Sequence, residues 1–109
     1  MPHYMVEFAY SELAWQSLIK NPEDRTAAVQ SFLKSAGGKL IALYFHSGEF
    51  DGMVIFESPD DATANATVMA VLASGGIRAS RTTRLFSAKE AVEAFTKAGK
   101  FAYRGPGQI

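Results

Sequence analysis

The chain has 109 residues, enough for one domain that buries about two-thirds of its unfolded surface. Hydrophobic residues make up 48% and aromatic residues 12%, which excludes disorder, and eleven basic residues balance eleven acidic ones, which excludes a global field for nucleic acid or anionic lipid. There is no cysteine, so disulfides, thiolate catalysis and thiolate metal ligation are excluded as well.

The first ten residues, MPHYMVEFAY, carry no basic region ahead of a long apolar run, and no stretch of the chain approaches membrane-spanning length. The expectation is a soluble cytoplasmic protein with residues 1–109 as a single domain. Tyr4, Val6, Phe8 and Tyr10 alternate with Met5, Glu7 and Ala9, the period of a strand. Ser11 stands at a helix N-cap ahead of Leu13, Ala14, Trp15, Leu18 and Ile19. Asn21-Pro22 breaks that helix, since proline lacks the N–H and clashes with the preceding turn. Asn21 is predicted to cap a second helical piece with Pro22 at its first position, lined by Val29, Phe32, Leu33 and Ala36 and stopped by Gly37-Gly38.

Leu40 to Phe45 is apolar at every position, which predicts a strand covered on both faces. Ser47-Gly48-Glu49 turns the chain into a paired strand over Phe50 to Phe56. Ser58-Pro59-Asp60-Asp61 predicts a helix start with the serine as cap and two acids at the positive end of the dipole. An alanine-rich helix with Val68, Met69, Val71 and Leu72 follows, closed by Ser74-Gly75-Gly76. Ile77 to Phe86 is a fourth strand with Arg78, Arg81 and Arg84. Ser87 and Glu90 form a capping box before a last helix, whose stripe of Ala88, Ala91, Val92, Phe95 and Ala98 is predicted to be buried. The tail after Gly99, with Phe101 and Tyr103, is predicted to lie across a surface, its own or a neighbour's.

This order is the ferredoxin-like split βαββαβ pattern with an added C-terminal helix: an α+β fold with a four-stranded antiparallel sheet and helices on one face. The first and third strands are predicted to be central. If Ile41, Leu43, Phe45, Val54 and Phe56 face the helices, Met5, Leu40, Ala42, Tyr44, Met53 and Ile55 face outward. A patch of that size is rarely left open on a monomer, and the second strand is an apolar edge. A homo-oligomer, dimer or higher, is therefore expected to cover the open face, with the C-terminal tail or last helix as the alternative cover.

Three places carry candidate chemistry. Asp51, after the glycine turn, is a candidate base or ligand contact, or simply a carboxylate bonded to backbone N–H groups. His46, sharing an outward face with Tyr44, is a candidate acid–base partner, or a solvated histidine at a strand end. Glu7 lies mid-strand, where a carboxylate needs a partner, and Arg81 on the fourth strand is within reach as a ligand anchor or an interface lock. Arg78, Arg81 and Arg84 form no basic surface, because Arg81 points opposite to the other two. No nucleic-acid partner, metal site or cofactor is expected, and no nucleophile-elbow, phosphate-loop or zinc-helix motif occurs.

The lead-in Gly37-Gly38-Lys39-Leu40, the turn Gly48-Glu49-Phe50-Asp51, the helix start Pro59-Asp60-Asp61, the broken first helix and the strand start Gly75-Gly76-Ile77-Arg78 together resemble the GYD family over residues 4 to 98. Members of that family resemble the dimeric α+β barrel group. Phe50 departs from the pattern by replacing the tyrosine that names the family, so any role of that phenol hydroxyl is absent and packing is the expected role of the ring. The resemblance implies a fold and no particular reaction. Two functional readings follow: a self-associating barrel protein binding a small, partly apolar ligand between sheet and sheet, or sheet and helices, through Met5, Glu7, Tyr44, His46, Met53 and Arg81, or a small cofactor-free enzyme, similar to the monooxygenases and isomerases of this superfold, with His46 or Asp51 as base. A purely structural or regulatory oligomer is a third.

Overall fold

Tyr4 and Phe56 stack with ring centroids 5.6 Å apart at the centre of the hydrophobic core, joined by Leu33 and Ala64. The computed structural model describes residues 1–108. Strand β1 (His3–Tyr10) leads into helices α1 (Glu12–Lys20) and α2 (Thr26–Ser35), then β2 (Lys39–Phe45) and β3 (Gly52–Glu57), helix α3 (Asp61–Ala73), β4 (Ile77–Leu85) and helix α4 (Ala88–Ala98). The sheet order is β2-β3-β1-β4, all antiparallel, with β1 and β3 central as the connectivity requires. Tyr4, Val6 and Phe8 sit opposite Phe56, Val54 and Gly52, so the even positions of β1 define the helix-covered face.

Three local expectations are corrected. Residues 22–25 are not helical: α2 starts at Thr26, and Asp24 accepts from the Thr26 N–H at 2.9 Å, an Asx turn that satisfies the helix start in place of Asn21. Helix α3 is capped by Asp60 and not by Ser58, because the Asp60 carboxylate takes the Thr63 N–H at 2.8 Å while the Ser58 hydroxyl turns to the Asp60 carbonyl. In β2 the register shifts between Leu40 and Ala42. This bulge sends Leu40 into the helix-side core and leaves Ile41 exposed, reversing the two residues, while Leu43 and Phe45 stay on the helix side.

The last helix is the largest departure. Ser87 and Glu90 do form the capping box, yet no residue of α4 is buried. The apolar stripe is formed but finds nothing in its own chain to pack on. The Cα radius of gyration is 17.8 Å, against about 13 Å for a compact chain of this length.

The α2–β2 connection is held where it nears β3. Gly37 takes a left-handed φ of +77°, and the Gly38 N–H donates to the Leu33 carbonyl at 2.8 Å. A Cβ on Gly38 would lie 2.3 Å from the Glu57 carbonyl oxygen, a backbone atom that cannot swing aside. Gly38→Ala is therefore expected to destabilise the fold by about 1–3 kcal/mol, read as a lower urea midpoint with unchanged slope.

Candidate functional site

Pairing across the sheet aligns four of the sequence candidates. Glu7 lies opposite Met53 on one side and Arg81 on the other, and Met53 lies opposite Tyr44. Tyr44, Met53, Glu7 and Arg81 thus form one row across all four strands, on the face that the helices leave open. The Arg81 guanidinium contacts the Glu7 carboxylate twice, from Nη2 at 2.9 Å and from Nε at 3.0 Å. It also lies over the Phe50 ring, 5.1 Å from its centroid. Phe50 is buried, so the ring that replaces a tyrosine packs beneath a cation and flanks the ion pair.

The neighbouring rows share that logic. His3 and Glu57, on the same face, meet at 3.0 Å. This hydrogen bond, opposed by some desolvation and aided by the charges of His3, the N-terminus and Lys39, holds the Glu57 carboxyl below its ordinary range. Between the two polar rows run Ala42, Ile55, Met5 and Thr83. The face is therefore an apolar band between two internally neutralised bands, with Tyr44 standing 64% exposed at the β2 edge.

His46 and Asp51 occupy the turn beyond this row. The His46 N–H donates to the Asp51 carbonyl at 3.0 Å, and its side chain is exposed. The Asp51 N–H donates to the Phe8 carbonyl at 2.8 Å, and its carboxylate accepts the Tyr10 N–H at 2.9 Å. Asp51 thus ties the β2–β3 turn to the end of β1. Among the described residues no three His, Cys, Asp or Glu side chains gather as a metal site.

The opposite side of the sheet holds a cavity whose lining residues the sequence did not single out. A cavity of about 550 Å³ lies between the covered face and helices α1, α2 and α3, with Phe8, Tyr10, Leu18, Val29, Leu43 and Val71 among its walls. Tyr10 belongs to an aromatic chain at one end of it: Phe8 meets Tyr10 at 5.3 Å and Phe45 at 5.9 Å, and Trp15 meets Tyr10 edge-on at 5.5 Å. Glu23 and Arg25 contribute charge to the lining. Burial raises the Tyr10 phenol above its ordinary pKa, with Arg25 opposing and Asp51 and Glu23 reinforcing the shift, so the group stays a neutral hydrogen-bond donor. The available signal was the run of small or hydroxyl residues facing the core, Ala14, Ala28, Thr67, Ala70 and Ser80, which cannot fill the space between sheet and helices.

The β2-β3-β1-β4 antiparallel sheet, with α1–α3 on one side and an open row of candidate residues on the other, defines a ferredoxin-like α+β protein. Within that class the chain belongs to the GYD domain family, whose model matches residues 4–95. The crystal structure of MtbAldR is similar in fold, with a TM-score of 0.54 at 18% identity over 79% of this chain and 52% of that one. The present chain spans about half the length of that protein, and the likeness concerns the fold alone. No curated protein is significantly similar, and no helix among the described residues is long and apolar enough to cross a membrane.

The two bonds of Asp51 separate a structural from a chemical role. Asp51→Ala is expected to cost about 1–3 kcal/mol by leaving the Tyr10 N–H without its acceptor, whereas Asp51→Asn, which keeps an oxygen there, should melt close to the wild type.

Proposed function

We propose that the protein is a self-associating carrier for a small, partly apolar molecule held between its sheet and its helices. The observation that carries this reading is the cavity of about 550 Å³. Its size falls within the usual range for small-molecule sites, and its walls are apolar and aromatic with a few polar groups. The Tyr10 hydroxyl and the Arg25 guanidinium are the groups suited to orient a ligand's polar end. The enzyme reading draws on His46 and Asp51; neither lines this cavity, and Asp51 is already engaged by the Tyr10 backbone.

Self-association through the open sheet face accompanies this reading. The row Tyr44–Met53–Glu7–Arg81 acts in it as part of an interface, with Glu7–Arg81 as a lock that enters the contact already paired. A lone face of this kind leaves Met5, Met53 and Ile55 partly in water, where burial of each is worth roughly 1.5–3 kcal/mol. The cytoplasm is the compartment we propose for it.

Trp15, the single tryptophan, touches the cavity wall through Tyr10 and reports on occupancy. Titration with 8-anilino-1-naphthalenesulfonate is expected to give saturable quenching of Trp15 emission, weakened at least tenfold in a Ser80→Phe variant that fills the cavity. Binding indifferent to Ser80→Phe would sink the cavity as the site. Sedimentation equilibrium tests the other half: Ile55→Glu, on the open face, is expected to weaken self-association at least tenfold. A wild type that stays a single subunit at micromolar concentration would remove it.

A further inference from the structure

We infer that α4 and the tail after it form an arm that packs on a second copy of the chain, at the partner's open sheet face beside its free β2 edge. This rests on the self-association proposed above and adds which segment makes the contact. The arm is aimed away from its own core by fixed local structure. Only Phe86 and Ser87 separate β4 from α4. The Phe86 ring lies under the Arg84 guanidinium at 5.3 Å, and the same guanidinium lies over the Tyr4 ring at 5.5 Å and 3.6 Å from the Asp61 carboxylate. The Tyr4 hydroxyl in turn donates to Asp61. Ser87 accepts the Glu90 N–H and Glu90 accepts the Ser87 N–H, both at 3.0 Å. Folding α4 back onto its own sheet would have to turn the chain within those two residues and pull Phe86 from beneath Arg84.

The surface of α4 asks for protein and not for lipid. Ala88, Ala91, Val92, Phe95 and Ala98 occupy one half of the helix, while Lys89, Glu90, Glu93 and Lys97 occupy the other. That charged half of α4 is neutral, without the cationic excess of a helix that lies on a membrane, and the tail adds Lys100 and Arg104. Beyond the helix, Phe101 and Tyr103 continue the aromatic surface. Phe95, Phe101 and Tyr103 are 69%, 75% and 83% exposed, which at roughly 200 Å² per ring leaves about 450 Å² of aromatic surface open on each arm. Two reciprocal arms, each matched by the surface it covers, bring the total to roughly 1,800 Å², within the range of stable dimers.

Topology supplies the address. The strand order places β4 and β2 at opposite edges. When two open faces meet about a two-fold parallel to the strands, β4 of one copy lies over β2 of the other. The arm leaving β4 then arrives at an unpaired edge where Ile41 and Tyr44 stand exposed.

The test uses the full chain. Val92→Asp/Phe95→Asp alters residues exposed in the single subunit, so its circular dichroism melt should match the wild type while its dimer dissociation constant rises at least tenfold. The chain has no cysteine, so a nitroxide on Ala94→Cys labels one site only. Mixed with an equal amount of unlabelled ¹⁵N protein, it is expected to broaden the Ile41 and Tyr44 amides of the other copy. An unchanged dimer in the double Asp variant, Ile41 and Tyr44 amides of the ¹⁵N copy left sharp, or binding of the arm to lipid vesicles without a dimer would each overturn the proposal. Loss of the dimer in Ile55→Glu with none in the double Asp variant overturns the arm and leaves the sheet-face contact standing.

Discussion

A four-stranded sheet covered on one side only is the constraint from which the other features of this protein follow. Helices α1, α2 and α3 are drawn to the Tyr4–Phe56 side, where Leu33 and Ala64 close the core. The other side keeps Met5, Met53 and Ile55 in partial contact with water. The polar residues there do not compensate as isolated charges would. Glu7 is bound to Arg81 and Glu57 to His3, so both carboxylates of this face meet a partner. Exposed pairs of this kind contribute little to stability, about 0–1 kcal/mol. Their consequence is that neither carboxylate stands as an uncompensated charge beside the apolar band.

The topology was legible because its signals were local and agreed with one another. Alternation in β1, two apolar runs around a glycine turn and right-handed crossovers leave one arrangement of four strands. What was not legible is equally specific. Leu40 and Ile41 lie in a stretch apolar at every position, where period two assigns no face and a one-residue bulge decides. At Ser58-Pro59-Asp60-Asp61 two side chains compete as cap, and the outcome turns on which one reaches the Thr63 N–H. In α4 the stripe announces a demand for burial without naming what satisfies it.

The candidate site divides along the same line. Glu7 and Arg81 could be paired from strand spacing alone, since a mid-strand carboxylate needs a cation on the neighbouring strand. Their alignment with Met53 and Tyr44 follows from register, which the bulge in β2 sets for the outermost residue. The cavity was hidden because its walls, Phe8, Val29, Leu43 and Val71, are the residue types of an ordinary core. An underfilled core and a well-packed one read alike in a sequence unless the sizes facing each other are summed. Phe50 is the instructive intermediate. Its ring is buried under Arg81 without a hydroxyl, so in this member of the family the position serves packing.

The bulge between Leu40 and Ala42 has one more effect, on the free border of the sheet. A straight, greasy border strand is a template for endless lateral addition, chain upon chain, toward fibres. An extra residue coils that border and interrupts its ladder of donors and acceptors, so the next strand finds no continuous row to extend. The broken border thereby works against growth into an open filament.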